Sequence, residues 1–302
     1  MSRVAFIFPG QGAQTAGMGK DFYEQTETGR KVYDRASQLL GFSMPELCFE
    51  KNDRLDITEY TQAAMVCTSI AMMKVLMEQT GIRPHVAAGL SLGEYCALAA
   101  AGVMSEDDAI STVRQRGILM QEAVPAGIGS MAAILALDAK VIEEVIKEIG
   151  DVQIANYNCP GQIVISGKKE SVELAGARLK EAGAKRVVPL NVSGPFHSQM
   201  LVGAGEKLGK VLETVQINEP MIPYVANVTA QYVTEASQVR PLLAKQVYSS
   251  VRWQQSVEAM VADGVDTFVE IGPGKTLSGF MRKITRDVKV LNIEKMEDME
   301  KL

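Results

Sequence analysis

Short apolar runs alternate along the chain with longer stretches in which apolar residues recur at helical spacing. Apolar runs cover residues 4–8 and 86–89, and residues 267–271 are apolar except for Thr267 and Glu270. A glycine-containing turn follows each of the three segments. Such runs predict strands that are buried on both faces. Residues 58–81 and 108–122 instead repeat apolar side chains every three or four positions, which predicts helices. Strands that alternate with helices in this way are typical of an α/β fold with a mainly parallel sheet.

The middle of the chain has a different order of elements. Four strand-like runs enclose two helical stretches in the order β-α-β-β-α-β, and these runs are residues 130–137, 152–157, 162–166 and 186–192. This order is typical of a ferredoxin-like unit. We therefore predict a small inserted domain at residues 125–194, and a larger, discontinuous domain made of residues 1–124 and 195–302.

A Gly-x-Ser-x-Gly motif at residues 89–93 lies between a predicted strand and a predicted helix. Its glycines allow a sharp turn that projects the hydroxyl of Ser91 from the end of the strand, which is the arrangement of a serine nucleophile. The following helix also points unpaired N–H groups toward the turn. A turn of this composition can instead only cap a helix, but the strand and helix on either side favour the nucleophile.

The choice of a base for Ser91 is narrow because the chain contains two histidines, His85 and His197. His85 lies at the other end of the same short strand, which places the two side chains roughly 20 Å apart at about 3.3 Å per residue. His197 lies in a loop just after the inserted domain, where functional residues are common, and it is the predicted partner. A purely structural histidine is the alternative. No aspartate or glutamate stands out as a third member.

The composition excludes several classes of function. The 302 residues carry 31 basic and 36 acidic side chains, and a net charge of −5 is unfavourable for bulk binding to nucleic acid. Four cysteines without a Cys-x-x-Cys pair, together with two distant histidines, match no metal site. Glycine-rich segments at residues 10–12 and 272–276 lack the further glycine of a nucleotide-binding loop, so no cofactor is expected. No apolar run reaches the roughly 18 residues of a membrane span, and we expect a cytoplasmic protein.

Arg116 lies on the apolar side of the helix predicted at residues 108–122. Its planar guanidinium group could bind a carboxylate close to the nucleophile. A side chain that extends past apolar neighbours to the surface, or a structural ion pair, explains the same position equally well. The residues alone leave these alternatives open.

Taken together and in order, the motifs resemble those of malonyl-CoA:acyl-carrier-protein transacylases and of the related polyketide acyltransferase domains. The matching segments span nearly the whole chain and are Phe-Pro-Gly-Gln-Gly at 8–12, Thr-Gln at 61–62, Gly-Leu-Ser-Leu-Gly-Glu-Tyr at 89–95, Arg-Gly at 116–117, Met-Gln-Glu-Ala-Val-Pro at 120–125, Asn-Tyr-Asn-Cys-Pro-Gly-Gln at 156–162, Phe-His-Ser at 196–198, Val-Arg-Trp at 251–253 and Glu-Ile-Gly-Pro-Gly at 270–274. One departure is Leu90, where many members carry histidine before the nucleophile. The resemblance implies a hydrolase-like core with a mainly parallel sheet plus an inserted ferredoxin-like small domain.

The resemblance also implies a role for each residue of the reaction centre. Ser91 would be the acylated nucleophile, and His197 would be the general base and later the acid. The backbone N–H groups of Gln11 and Leu92 would form the oxyanion hole. The backbone carbonyl of Gln246 would orient His197, which would explain why no acidic partner stands out.

The substrates follow from the same resemblance. Arg116 would pair with the malonyl carboxylate, Gln62 and Asn156 would bind substrate, and Phe196 would favour malonyl over branched acyl groups. The expected activity moves a malonyl group from malonyl-CoA to the phosphopantetheine thiol of acyl carrier protein through a malonyl-serine intermediate. We expect a monomer that works in type II fatty-acid biosynthesis without cofactor or metal. The alternatives are a trans-acting polyketide acyltransferase, a serine thioesterase or esterase, and a carrier-binding module without activity.

Overall fold

Two β-sheets organise the part of the chain that the computed structural model describes, residues 2–301. The strands in this part are β1 (Val4–Phe8), β2 (Val86–Gly89), β3 (Gly129–Leu135), β4 (Val152–Cys159), β5 (Gln162–Lys168), β6 (Arg186–Pro189), β7 (Tyr224–Val225), β8 (Tyr232–Val233), β9 (Thr267–Ile271) and β10 (Lys289–Ile293). The larger sheet has the order β10-β9-β1-β2-β7-β8, and its neighbouring strands are parallel except for β7 and β8. The smaller sheet has the order β4-β5-β3-β6 with antiparallel neighbours. This architecture confirms the predicted α/β fold class.

Helices separate most of the strands along the chain. The α-helices of the described part are α1 (Lys20–Gln25), α2 (Glu27–Leu40), α3 (Met44–Phe49), α4 (Thr58–Thr80), α5 (Gly93–Ala100), α6 (Glu106–Glu122), α7 (Ala139–Lys147), α8 (Lys169–Glu181), α9 (Val202–Glu213), α10 (Val239–Gln246), α11 (Trp253–Ala262) and α12 (Thr276–Ile284). Among residues 2–301, no helix combines the length and the apolar content that crossing a membrane requires.

Strand β1 lies in the middle of the larger sheet, and this position explains why its sequence is an uninterrupted apolar run. Phe6 and Phe8 belong to the apolar cluster on one face, together with residues of α4 and α5. Ala5 and Ile7 belong to the cluster on the other face, together with Trp253 of α11. Because both faces are covered, every position of the strand is apolar rather than every second one.

The smaller sheet is built from residues 129–189 and has a core of its own. Isoleucines of β3, β4 and β5 pack there against Ile142 of α7 and Leu179 of α8. The last strand, β6, ends at Pro189 rather than at the predicted residue 192. It is shorter because Val192 donates its N–H to the carbonyl of Leu190, which turns the chain out of the sheet. The predicted boundaries of an inserted domain, at residues 124 and 195, stay a prediction.

Two glycines allow close packing around the turn between β2 and α5. A Cβ atom on Gly89 would lie 2.0 Å from the carbonyl carbon of Gly93. A Cβ atom on Gly93 would lie 2.4 Å from the carbonyl oxygen of Phe8. Both neighbours are backbone atoms, so neither contact can be relieved by a change of rotamer. The position of this turn against β1 therefore depends on glycine at both residues.

We expect Gly93→Ala to lower the free energy of unfolding by about 2 kcal/mol or more, because the added methyl group overlaps the backbone of β1. Gly279→Ala on α12 is the matched control, since its Cβ atom would meet nothing within 4 Å. Alanine is also the better helix former there by about 1 kcal/mol. Denaturant titration of both variants measures the two effects, and similar values for the two would contradict the close packing at Gly93.

Candidate active site

Ser91 occupies the sharp turn between β2 and α5. Its backbone φ angle is 54°, a left-handed conformation that residues other than glycine rarely adopt. The side chain of Asn227, in the loop after β7, holds both sides of this turn. Its Oδ1 accepts from the Ser91 N–H at 2.7 Å, and its Nδ2 donates to the carbonyl of Gly89 at 2.7 Å. An amide from a neighbouring loop thus stabilises the strained turn that presents the hydroxyl.

His197 forms a hydrogen-bonded pair with Ser91. The distance from Ser91 Oγ to His197 Nε2 is 2.8 Å, and the distance from His197 Nδ1 to the backbone oxygen of Gln246 is also 2.8 Å. A carbonyl oxygen can only accept, so Nδ1 carries the ring proton and Nε2 accepts from the Ser91 hydroxyl. The result is a nucleophile, a base and an orienting group, with a backbone carbonyl in the place of an acid.

The loop that carries His197 is held from the smaller sheet. His197 itself has a φ angle of 57°, so its backbone is also left-handed. Gln153 on β4 donates from Nε2 to the carbonyl of His197 at 2.9 Å, and its Oε1 accepts from the N–H of Gln199 at 3.0 Å. The smaller sheet therefore contributes to the position of the base.

The surroundings keep His197 neutral. Its side chain is buried, and this burial, together with the positive charge of Arg116, lowers the pKa of His197 to about 4. The backbone carbonyl of Gln246 acts in the opposite direction but does not outweigh the burial. At neutral pH the imidazole is therefore unprotonated at Nε2 and able to accept a proton from Ser91.

Arg116 projects from α6 into the same site and is 1% exposed. Its guanidinium group donates to Gln62 Oε1 at 2.5 Å, to Ser91 Oγ at 3.0 Å and to Gln246 Oε1 at 2.9 Å. All three acceptors are neutral oxygens. Arg116 is therefore neither extended to the surface nor part of a direct ion pair, and it carries a positive charge that a substrate anion can neutralise.

Close helix packing brings Gln62 within reach of Arg116. Gln62 lies in the second turn of α4, and Gly117 follows Arg116 on α6. A Cβ atom on Gly117 would lie 2.7 Å from the Cα atom of Glu59, so glycine lets α6 approach the beginning of α4. Glycine next to Arg116 therefore allows the close helix packing that places Gln62 beside the guanidinium group.

A cavity of about 800 Å³ opens onto the pair of Ser91 and His197, and its size is typical of a small-molecule site. Gln11 and Leu92 line it from the loops that follow β1 and β2. The backbone hydrogen bonds of the described chain use neither the N–H of Gln11 nor that of Leu92. These two groups are therefore available to bind a developing oxyanion.

Three further residues that the sequence singles out lie around this cavity. Gln62, Asn156 of β4 and Phe196, which precedes the histidine, all line it. Gln246 lies behind it at the end of α10, where it contacts both Arg116 and His197. The structure thus brings the nine predicted site residues to one place, while their roles stay predictions.

The remaining sequence-based expectations concern His85 and metals. His85 is exposed at the start of β2, where its Nδ1 accepts from the N–H of Val4 at 3.1 Å, so it lies outside the site. The four cysteines are free and buried. Within residues 2–301, no three side chains of histidine, cysteine, aspartate or glutamate are grouped so that they could hold a metal ion.

Asn227, Gln153 and Glu94 take part in the site, although the sequence interpretation assigned them no role. Asn227 and Gln153 act on residues far away in the chain, and no local pattern marks such contacts. Glu94 follows the Gly-x-Ser-x-Gly motif in the first turn of α5, where an acidic residue is ordinary. Its only unusual property is complete burial, which the sequence around it, rich in alanine and leucine, could have indicated.

Comparisons with known proteins agree with this geometry. Residues 5–299 match the family model of the acyl transferase domain. The chain is 47% identical over 305 residues to the malonyl CoA-acyl carrier protein transacylase of Bacillus subtilis, covering 99% of this chain and 96% of that protein. The crystal structure of the corresponding transacylase from Clostridium perfringens has a TM-score of 0.96 at 42% identity, covering 99% and 96%. A malonyl-transacylase solved in complex with its type II polyketide synthase acyl-carrier protein has a TM-score of 0.96 at 39% identity, covering 99% and 98%.

The low pKa of His197 has a measurable consequence for Ser91. We expect the rate of sulfonylation of Ser91 by phenylmethylsulfonyl fluoride to show no inflection near pH 6.5 and to fall only as the pH approaches about 4. Below that pKa the imidazole is protonated and cannot accept the hydroxyl proton. Intact-mass time courses between pH 4.5 and 8 measure the rate, with Ser91→Ala as the unlabelled control. A tenfold fall centred near pH 6.5 would contradict the assigned environment.

Proposed function

We propose that this chain, which belongs to the acyl transferase domain family, moves a malonyl group from malonyl-CoA to the phosphopantetheine thiol of acyl carrier protein. The observation that carries the proposal is the position of Arg116, whose guanidinium group lies 3.0 Å from the hydroxyl of Ser91 inside the cavity. A buried cation beside a nucleophile selects an acyl group that ends in a carboxylate. The identity to malonyl CoA-acyl carrier protein transacylases supports the same conclusion.

In the first half of the reaction, Ser91 becomes acylated. Its Oγ attacks the thioester carbonyl of malonyl-CoA while His197 Nε2 takes the hydroxyl proton. The N–H groups of Gln11 and Leu92 donate to the oxyanion of the tetrahedral intermediate. When the C–S bond breaks, the protonated His197 returns the proton to the departing sulfur, and coenzyme A leaves as a thiol.

The second half repeats these steps with the carrier protein. His197 takes the proton of the phosphopantetheine thiol, and the sulfur attacks the ester carbonyl of malonyl-Ser91. The C–O bond to Ser91 breaks, and His197 protonates its Oγ, which restores the free enzyme. In each half, His197 takes up one proton and gives it back, and no redox step occurs. We therefore propose that side chains and backbone N–H groups of this chain suffice and that no cofactor is needed.

We also propose roles for the other residues that line the cavity and a pathway for the enzyme. Gln62 and Asn156 bind substrate at the wall of the cavity, and Phe196 limits the room for branched acyl groups. The pathway is type II fatty-acid biosynthesis, and the alternative is a polyketide pathway, since one structural neighbour was solved with a polyketide carrier. Transfer rates to carrier proteins of both kinds distinguish the two.

Four free cysteines support a reducing, cytoplasmic location.

Malonyl-CoA labelled in the malonyl group tests transfer against hydrolysis. We expect the wild-type protein to gain one malonyl group, and to pass it to added phosphopantetheinylated carrier protein faster than it releases free malonate. Ser91→Ala should gain no group, because it lacks the nucleophile. Intact-mass spectrometry of both proteins measures each species. Release of malonate at the same rate with and without carrier protein would favour a thioesterase or esterase, and no adduct on the wild type would contradict an enzyme of this kind.

Arg116→Ala separates recognition of the carboxylate from the chemistry of Ser91. We expect kcat/KM for malonyl-CoA to fall by about 100-fold or more, since charge-assisted hydrogen bonds contribute about 1.5–3 kcal/mol each. Acetyl-CoA carries no carboxylate, so its kcat/KM should change by less than about tenfold on the same scale. Arg114→Ala is the matched control, because Arg114 lies on the same helix but pairs with Glu59 outside the cavity. Equal losses for both substrates would refute the pairing.

A further inference from the structure

Glu94 is a buried acid that the reaction described above does not use. It lies in the first turn of α5, three residues after Ser91, and is 1% exposed. Its Oε2 accepts from Gln246 Nε2 at 2.7 Å and from the N–H of Asn227 at 3.2 Å. Its Oε1 has no hydrogen-bond partner among the described residues. A carboxyl group in such surroundings is costly unless it balances another charge.

The contacts of Gln246 determine which way its carboxamide points. Its Nε2 donates to Glu94 Oε2 and, at 3.0 Å, to the carbonyl of Ser91. Its Oε1 accepts from Arg116 Nη2 at 2.9 Å. The reversed amide would place its NH2 group against the guanidinium and its oxygen against two acceptors. Glu94 therefore supplies one of the acceptors that keep the oxygen of Gln246 toward Arg116.

Glu94 and Arg116 also attract each other electrostatically. Burial raises the pKa of Glu94 to about 7, and the charge of Arg116 opposes this rise. Burial lowers the pKa of Arg116, and the charge of Glu94 opposes that change. The two charges stabilise each other, yet a neutral carboxamide separates them. Had Glu94 bound the guanidinium directly, it would have occupied the N–H groups that a substrate carboxylate needs.

We propose that Glu94 is a positioning residue that holds the carboxamide of Gln246 in one orientation and supplies the counter-charge of Arg116 from one amide away, leaving the guanidinium group free for the substrate carboxylate. This inference rests on the proposed function, because it assigns Glu94 to the orientation and charge balance of the group that binds the malonyl carboxylate. Arg116 Nη1 makes a single contact, with Gln62, so its second N–H is one that this arrangement leaves available.

Glu94→Gln tests the charge while it preserves the hydrogen bonds. The glutamine oxygen can accept from Gln246 and Asn227 as Oε2 does, and its NH2 group takes the place of the unpartnered Oε1. At pH 8, where Glu94 is mostly ionised, its loss removes the repulsion on a bound malonyl carboxylate. We expect the ratio of malonyl to acetyl kcat/KM to rise by about three- to tenfold through a lower KM for malonyl-CoA. Glu173→Gln on the surface of α8 is the matched control for net charge.

Glu94→Ala tests the orientation. Without Glu94, the carboxamide of Gln246 loses its 2.7 Å acceptor and keeps the Ser91 carbonyl, so it is held less firmly against Arg116, and acylation of Ser91 by malonyl-CoA should fall by about tenfold or more. Thermal unfolding and circular dichroism show whether each variant is folded. A residue with only a structural role would change the melting temperature but not the ratio of the two substrates.

The outcomes separate this inference from the proposed function. A selective wild type together with an unchanged or lower ratio in Glu94→Gln overturns the role of the charge. Wild-type acylation by a folded Glu94→Ala overturns the role in orientation. Should Glu94→Ala fail to fold, the ratio in Glu94→Gln still decides. A wild type that accepts no malonyl group overturns the proposed function, and this inference with it.

Discussion

The positive charge of Arg116, buried with only neutral oxygens in direct contact, is the constraint on which the rest of the site depends. A guanidinium group cannot lose its proton in this environment, so the surrounding side chains must supply oriented oxygens. Gln62 and Gln246 do so with their amide oxygens, and Ser91 does so with its hydroxyl. The same charge contributes to the low pKa of His197. One buried cation thus orders the oxygens around it and, second to burial, helps to keep His197 unprotonated.

The site is assembled from distant segments, and amide side chains connect them. Asn227 bridges both sides of the turn at Ser91, Gln153 holds the backbone of His197, and Gln246 links Ser91 to Arg116. An amide offers a donor and an acceptor without a charge. A charged residue at any of these positions would change the electrostatic balance around His197. Neutral bridges therefore fix the geometry without altering the charges that the chemistry requires.

Sequence patterns were sufficient to predict those parts of the structure that depend on a local cause. The strands β1 and β2 could be predicted because burial on both faces makes every residue apolar, and β9 shows the same pattern except at Thr267 and Glu270. The pairing of Ser91 with a histidine followed from a motif and a count. The strands β7 and β8 contain two residues each, too few for any periodicity. Asn227 and Gln153 escaped prediction because their partners are far away in the chain. For Arg116 the helical pattern is the same whether the side chain is buried or extends to the surface, and only its contacts in the fold distinguish the two.

The number of donors explains why arginine suits this position better than lysine. A guanidinium group has five N–H donors in one plane, and the three contacts of Arg116 use Nη1 and Nη2. Nη1 makes only one of these contacts and keeps a second N–H, so the group can hold three protein oxygens and still offer an N–H to a carboxylate. A lysine has three donors, and those three oxygens would occupy all of them. Before substrate binds, the neutral partners leave the charge of Arg116 without a direct counterion, and in the proposed reaction a malonyl carboxylate supplies one. Burial of this charge therefore raises the free energy of the empty site and favours its complex with a carboxylate.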